Sequence, residues 1–326
     1  MMNILRRGQR ALLALLLGFG INLPAQAAYS DIYFFGDSLS DTGNMYTITG
    51  GLVPAPPYFN GGYSDGPIWV DYLASGLGLS GAASPSLKGG NNYAFGGALS
   101  GIDSESGLPV GLRMQVSAYA VTHRFAADPD ALYVIAIGSN DIIGIAEALP
   151  GIDDAAARFE LAQGVIDNLL YSVNYLIDRG AHNFLIANVP DIGITPGAVS
   201  GGFATAATDV SMQYNALLVS ALDSLSDRAN IISFDLFALL NAVVDDANAG
   251  GVIYGLDNST IPCIGLGICD RSVFFDDIHP TATVHALAGQ IALSSVVPEP
   301  SSISLLLGGL MVVGLVRRRS ALKAGT

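Results

Sequence analysis

A short apolar run, Ile32-Tyr33-Phe34-Phe35, ends abruptly at Gly36-Asp37-Ser38-Leu39-Ser40-Asp41-Thr42-Gly43-Asn44. Such a run has the length of a buried strand, and glycine and aspartate are residues that bend backbone and hydrogen-bond to it. The chain must therefore leave a sheet at this point through a tight turn. Ser38 sits in that turn, where a hydroxyl can project from the end of the sheet toward a substrate. A lone serine after a strand is more often a helix N-cap. Its meaning is decided by what else reaches the same edge.

The rest of the body repeats the theme. Strands are predicted at Ile32–Phe35, Leu132–Ile137, Phe184–Val189 and Ile231–Phe234. A long helix is predicted from Ala155 to Arg179, where Phe159, Ala162, Ile166, Leu169, Leu170, Val173 and Ile177 recur at threes and fours. Gly180 follows where a C-cap glycine belongs. Further helices are predicted over Val210–Leu225 and Ala282–Leu293. Alternating strands and helices give an α/β fold, a parallel sheet wrapped on both faces. The stretch Gly50–Gly111 is different, rich in Gly, Pro, Ser and Asn. It reads as loops forming a substrate rim, with short helices near Ile68–Ala74 and Leu112–Phe125.

Both ends read as address labels. Residues 1–27 carry Arg6, Arg7 and Arg10, an apolar run from Ala11 toward Ile21, and Ala25-Gln26-Ala27. This is the pattern of a secretory signal peptide cleaved after Ala27. Residues 298–326 hold Pro298-Glu299-Pro300, an apolar segment Ile303–Val316 and then Arg317-Arg318-Arg319. As a helix that segment spans about 21 Å, short for a hydrocarbon core of roughly 30 Å. A temporary membrane stop with the arginines on the cytoplasmic side is the expectation, against the plainer alternative of a permanent anchor.

Residues 28–297 then form one body, within the length range of a single α/β unit. It holds 7 of the 14 basic residues and 27 of the 28 acidic ones, a net charge of −20. Such a surface repels phosphate backbones and excludes nucleic acid as a partner. Cys263 and Cys269 are the only cysteines. In an exported chain two cysteines this close form a disulfide more readily than a metal site, which would want histidines beside them.

Four stretches converge in an open parallel sheet, whose ligand crevice lies beyond the carboxyl ends of its strands. Ser38 follows the first strand. Gly138-Ser139-Asn140-Asp141 follows Leu132–Ile137, and Asn140 offers an amide donor of the kind that steadies an oxyanion. Asn91-Asn92-Tyr93-Ala94-Phe95-Gly96-Gly97-Ala98 has glycines that let backbone N–H groups approach a ligand. Asp276-Asp277-Ile278-His279-Pro280 supplies a base. A serine hydroxyl needs an imidazole to attack, and the imidazole needs a carboxylate to fix its tautomer. Asp276 can fold back onto His279; Asp277 is the rival. His123, His182 and His285 lack an upstream carboxylate in such a loop.

In these four blocks the chain resembles the GDSL branch of the SGNH hydrolases, from about Ser30 to Leu293. Tyr63-Ser64-Asp65-Gly66 and Trp69 look like its phospholipase/lecithinase/haemolysin subgroup. The resemblance implies a flavodoxin-like fold with five parallel strands in the order 2-1-3-4-5. It implies an esterase or lipase with Ser38 as nucleophile, His279 as base and Asp276 as orienter. The oxyanion would be held by the backbone N–H groups of Ser38 and Gly97 and the Asn140 amide. No cofactor or metal is called for. The C-terminal pattern resembles a PEP-CTERM sorting signal, which implies signal peptidase and exosortase as processing partners and a site of action outside the inner membrane. Two other readings of the body stand beside an exported esterase. One is an O-acetylesterase or acyltransferase acting on extracellular polysaccharide, and the other a non-catalytic matrix protein on a hydrolase scaffold.

Overall fold

The four expected strands form, each five residues long: β1 Ile32–Gly36, β2 Leu132–Ala136, β3 Asn183–Ala187 and β4 Asn230–Phe234. The computed structural model describes residues 29–297, so the expected leader and C-terminal sorting segment lie outside the described residues. All strands are parallel and lie in the order β1-β2-β3-β4, with Phe34 beside Val134, Val134 beside Leu185 and Leu185 beside Ile232. Helices connect them: α1 Asn44–Ile48, α2 Trp69–Gly76, α3 Leu112–Thr122, α4 Ser139–Ala148, α5 Ala155–Ile177, α6 Pro196–Gly201, α7 Ala204–Asp223, α8 Leu236–Asn248 and α9 Ala282–Val296.

Alternation along the strands sends side chains to two cores. Tyr33, Phe35, Tyr133, Ile135, Phe184 and Ile186 face a layer built by α3, α4, α5 and α7. The other face packs against α2, α8 and α9, with the Trp69 and Phe234 rings 5.4 Å apart. β1 and β2 are buried on both faces, which is why they read as unbroken apolar runs.

The expected fifth strand does not form among the described residues. Its place beside β1 is taken by residues 91–95, which run parallel to β1 and reach it through three backbone bonds. Phe34 N–H donates to Asn91 (3.1 Å), Tyr93 N–H to Phe34 (2.7 Å) and Phe95 N–H to Gly36 (3.1 Å). Against Tyr93 and Phe95 the segment sets two asparagines, an alanine and glycines on both sides, all depleted in strands. Side chains hold it instead. Asn44 Nδ2 donates to the carbonyls of Asn92 (2.7 Å) and Ala94 (2.9 Å), and Asn92 Nδ2 donates to Ser40 (2.7 Å). Helices α4 and α8, each starting beyond a strand's carboxyl end, were not foreseen, and α7 begins six residues before the expected start.

Candidate active site

Ser38 lies just past β1, in a turn where the Asp37 carbonyl accepts the N–H groups of Ser40 and Asp41, both at 3.0 Å. It caps no helix. The turn can leave the sheet this tightly because residue 36 is glycine: a Cβ there would lie 2.2 Å from the Ala136 carbonyl oxygen. Two buried carboxylates hold the turn. Asp37 accepts the Leu39 N–H at 3.0 Å, and burial pushes its carboxyl up to about 7, against the pull of that hydrogen bond and of His279. Asp41 accepts four N–H groups, from Gly43 (2.8 Å), Asn44 (2.6 Å), Met45 (3.0 Å) and Gly96 (2.9 Å). Burial raises it to about 6 in spite of them. Through Gly96, Asp41 ties the serine turn to the glycine segment.

His279 arrives from the far end of the chain. Its Nε2 is 2.7 Å from Ser38 Oγ, and its Nδ1 is 2.7 Å from Asp276 Oδ2. Asp276 Oδ1 accepts the backbone N–H groups of Ile278 (2.9 Å) and His279 (2.7 Å), which folds the carboxylate back over its own loop. The Tyr58 hydroxyl donates to Asp276 Oδ2 at 2.7 Å. Burial alone would raise this carboxyl; the bonds from His279 and Tyr58 overcome it and bring Asp276 down to about 2. Asp277 is exposed, and its side chain makes no hydrogen bond among the described residues. Geometry thus pairs His279 with Asp276.

Cys263 and Cys269 are joined in a disulfide with Cα atoms 5.1 Å apart. The loop they close is hydrogen-bonded to the segment leading into Asp276: Cys263 N–H donates to Phe274 at 3.1 Å and Ile264 N–H to Phe275 at 2.8 Å.

Gly97 and Asn140 reach the same place from the other two stretches. Gly97 has φ of 72°, the left-handed region that favours glycine. Asn140 lies in the first turn of α4 and spends one amide hydrogen on the Ala98 carbonyl at 2.9 Å. Among the described residues the N–H groups of Ser38 and Gly97 have no acceptor. Ser38, Gly97, Asn140 and His279 line one cleft of about 470 Å³, whose rim includes Tyr63 and Glu105. Ser38, Asn140 and His279 also border a second, narrower pocket of about 60 Å³, walled by Leu236, Leu240, Val284 and Ala288 from α8 and α9. The arrangement can transfer the serine proton to the imidazole and offer N–H donors to a developing oxyanion.

The other histidines stand apart from this relay. His123 stacks on Tyr119 with centroids 4.2 Å apart, and His182 is exposed. His285 is buried against the Trp69 N–H, and burial lowers its pKa to about 3. Two residues at the site, Tyr58 and Asp41, escaped the sequence. Tyr58 sits in the glycine- and proline-rich rim, as does Tyr63, marked by the sequence only as a family-like flank, whose ring lies 5.0 Å from that of His279. Asp41 had a legible signal, since an aspartate two to four residues before exposed helix N–H groups is a capping pattern.

The chain matches the family of GDSL-like lipases and acylhydrolases over residues 32–291. It is 29% identical over 245 residues to a phosphatidylcholine-sterol acyltransferase of Aeromonas hydrophila, covering 74% of this chain and 67% of that protein. It is 29% identical to Lipase 1 of Photorhabdus luminescens, covering 86% of this chain but only 52% of the lipase. A thermolabile hemolysin of Vibrio parahaemolyticus is 24% identical, with 80% of this chain and 62% of its own length covered. The chain thus spans between half and two thirds of these relatives.

Proposed function

The chain belongs to the GDSL-like lipase/acylhydrolase family, whose members act on ester bonds, and on that premise we propose that it is an exported serine esterase working through an acyl-enzyme on Ser38. The observation that carries this reading is the continuous relay Asp276–His279–Ser38, with both imidazole contacts at 2.7 Å. Ser38 Oγ attacks the ester carbonyl as His279 Nε2 takes its proton. Asp276 keeps Nδ1 protonated and the ring aimed. The carbonyl oxygen becomes an oxyanion among the N–H groups of Ser38 and Gly97 and the Asn140 amide. His279 then gives its proton to the leaving alcohol, and in the second half takes one from water, which releases the acid and frees Ser38.

The test is labelling with a fluorophosphonate, with mapping of the modified peptide. Label on Ser38, lost in Ser38→Ala and matched by nitrophenyl ester hydrolysis, supports the reading. An unlabelled, folded protein would leave a hydrolase scaffold used for binding. Acyl transfer is the second reading, favoured by the acyltransferase among the relatives. It calls for an alcohol that competes with water for the acyl-enzyme, read as transferred product at fixed acyl-enzyme turnover.

The proposed location outside the inner membrane rests on residues 1–27 and 298–326, read as a leader and a PEP-CTERM-like sorting segment. Deleting 298–326 should release active enzyme instead of sorting it, and mass spectrometry of the mature wild-type protein should find no peptide from 303–326. Finding that peptide would make the segment a retained anchor.

A further inference from the structure

Two hollows meet at Ser38, and only one of them carries charge. The narrow pocket between α8 and α9 is lined mostly by aliphatic side chains, with Trp69, His285, Ser139 and Thr195 and no carboxylate, and burial keeps His285 neutral. The wider cleft on the Gly97 side holds Glu105 and no lysine or arginine. Glu105 is fixed there by its backbone, whose N–H donates to the Gly97 carbonyl at 2.9 Å. Its Oε2 lies 3.5 Å from the point where a Cβ on Gly97 would sit. The backbone that carries the carboxylate is thus anchored to Gly97, the residue proposed to offer one oxyanion donor. Partial burial raises its pKa, with Glu147 adding to the shift, while His279 opposes it. The side chain still reaches water at the cleft mouth.

The ester's two halves must leave Ser38 in different directions. An alkyl chain laid along Glu105 would strip water from a carboxylate and give it no partner, a costly arrangement. In the α8–α9 pocket the same chain displaces water from walls that are chiefly apolar and hold no carboxylate. The acyl half therefore belongs in the narrow pocket and the alcohol half beside Glu105. We propose that Glu105 determines specificity for the alcohol half of the ester, favouring alcohols that carry a positive charge and disfavouring those that carry a negative one. This rests on the ester-hydrolase reading above. For unit charges about 6 Å apart at an effective dielectric of about 40, the preference is about tenfold in each direction relative to an uncharged alcohol.

The experiment compares butyrylcholine with its uncharged isostere, 3,3-dimethylbutyl butyrate, as substrates of the wild type, Glu105→Gln and Glu105→Asp. Salt at about 0.15 M screens the long-range field of the acidic surface, so the local charge dominates. The quantity read is the ratio of kcat/KM for the two esters, from which any general loss of activity in a variant divides out. The expected ratio is about ten in the wild type, near one in Glu105→Gln and intermediate or retained in Glu105→Asp. A ratio that is the same in wild type and Glu105→Gln, whatever its value, overturns the assignment. Failure of the wild type to turn over the uncharged ester overturns the hydrolase reading instead, so the two failures are told apart.

Discussion

The arm that carries Ser38 and the arm that carries His279 are built on opposite principles. The serine arm is deeply buried and held by charge: Asp37 and Asp41 are almost wholly inaccessible, and Asp41 gathers four backbone N–H groups. The histidine arm lies nearer the surface and is held by cross-links. These are a disulfide, the Tyr58 hydroxyl and a carboxylate folded onto its own loop. A nucleophile springing from a sheet edge inherits rigid surroundings, so buried acceptors suffice to shape its turn. A base on a long loop, with no strand leading into it, needs ties of its own. The serine arm should therefore answer to protons and the histidine arm to reductants.

The largest effects come where the two arms touch. Ser38→Ala and His279→Ala should each lower ester turnover by about 10⁴-fold or more, with unchanged far-ultraviolet circular dichroism. His285 walls the narrow pocket, so His285→Ala should lose far less activity than His279→Ala; an inactive His285→Ala with an active His279→Ala would move the base to His285. Next comes the tie between the serine turn and the glycine segment. Asp41→Asn cannot accept four N–H groups, so Gly97 should lose its placement and turnover should fall by about 10²-fold. Steady-state kinetics with KM little changed is the expected signature. Activity within a few-fold of wild type would mean that Gly97 is held without Asp41.

The histidine arm is tested by removing its staple. Replacing Cys263 and Cys269 together by serine should cost about 2 kcal/mol, the chain-entropy value for so small a loop. Denaturant titration reads that loss, and a reductant should produce the same shift in the wild type and none in the double variant. A larger effect of reductant on Asp41→Asn than on wild type would show the two arms to be coupled.

The smallest effect separates the arms by pH. Asp37 is raised to about 7, so the folded state binds its proton where an unfolded aspartate does not. Its contribution to stability is full below the ordinary aspartate range and is lost as pH rises through about 7. Going from pH 7 to 5.5 should thus add about 1.5 kcal/mol from Asp37, with roughly half as much again from Asp41, raised to about 6, so Asp37→Asn should remove the larger share of the gain. Asp276 works the other way and far below this window: lowered to about 2, it stabilises above the ordinary range and its contribution is lost only as pH falls through about 2. A stability that drops between pH 7 and 5.5 would reverse the assignment of buried charge to the serine arm.

Local patterns made Ser38, Asn140 and His279 readable as candidates, because each lies in a short motif at the end of a strand or the mouth of a helix. The choice between Asp276 and Asp277 was not readable. Both lie within one turn of the imidazole, and it is the backbone N–H groups of Ile278 and His279 that bend the first of them inward. Tyr58 was hidden for another reason: its partner is 218 residues away, and nothing near Pro56-Pro57-Tyr58 records that distance. The strands were found to within one or two residues since two-sided burial leaves apolar runs. The fifth strand was counted where only a hydrogen-bonded segment stands, as family resemblance carries topology better than ladder length.

That segment, residues 91–95, also guards a border. An unpaired β-strand edge is a template on which another chain can add itself, and open edges seed aggregation. Here β1 is shielded by only three backbone bonds and by Gln115, whose side chain donates to and accepts from the Gly36 backbone at 2.8 Å each, imitating a neighbouring peptide group. The shield continues directly into Gly96 and Gly97. Whatever loosens these cleft-lining glycines also loosens the cover of the sheet, so variants selected for a wider cleft on this side will tend toward self-association before they lose their fold.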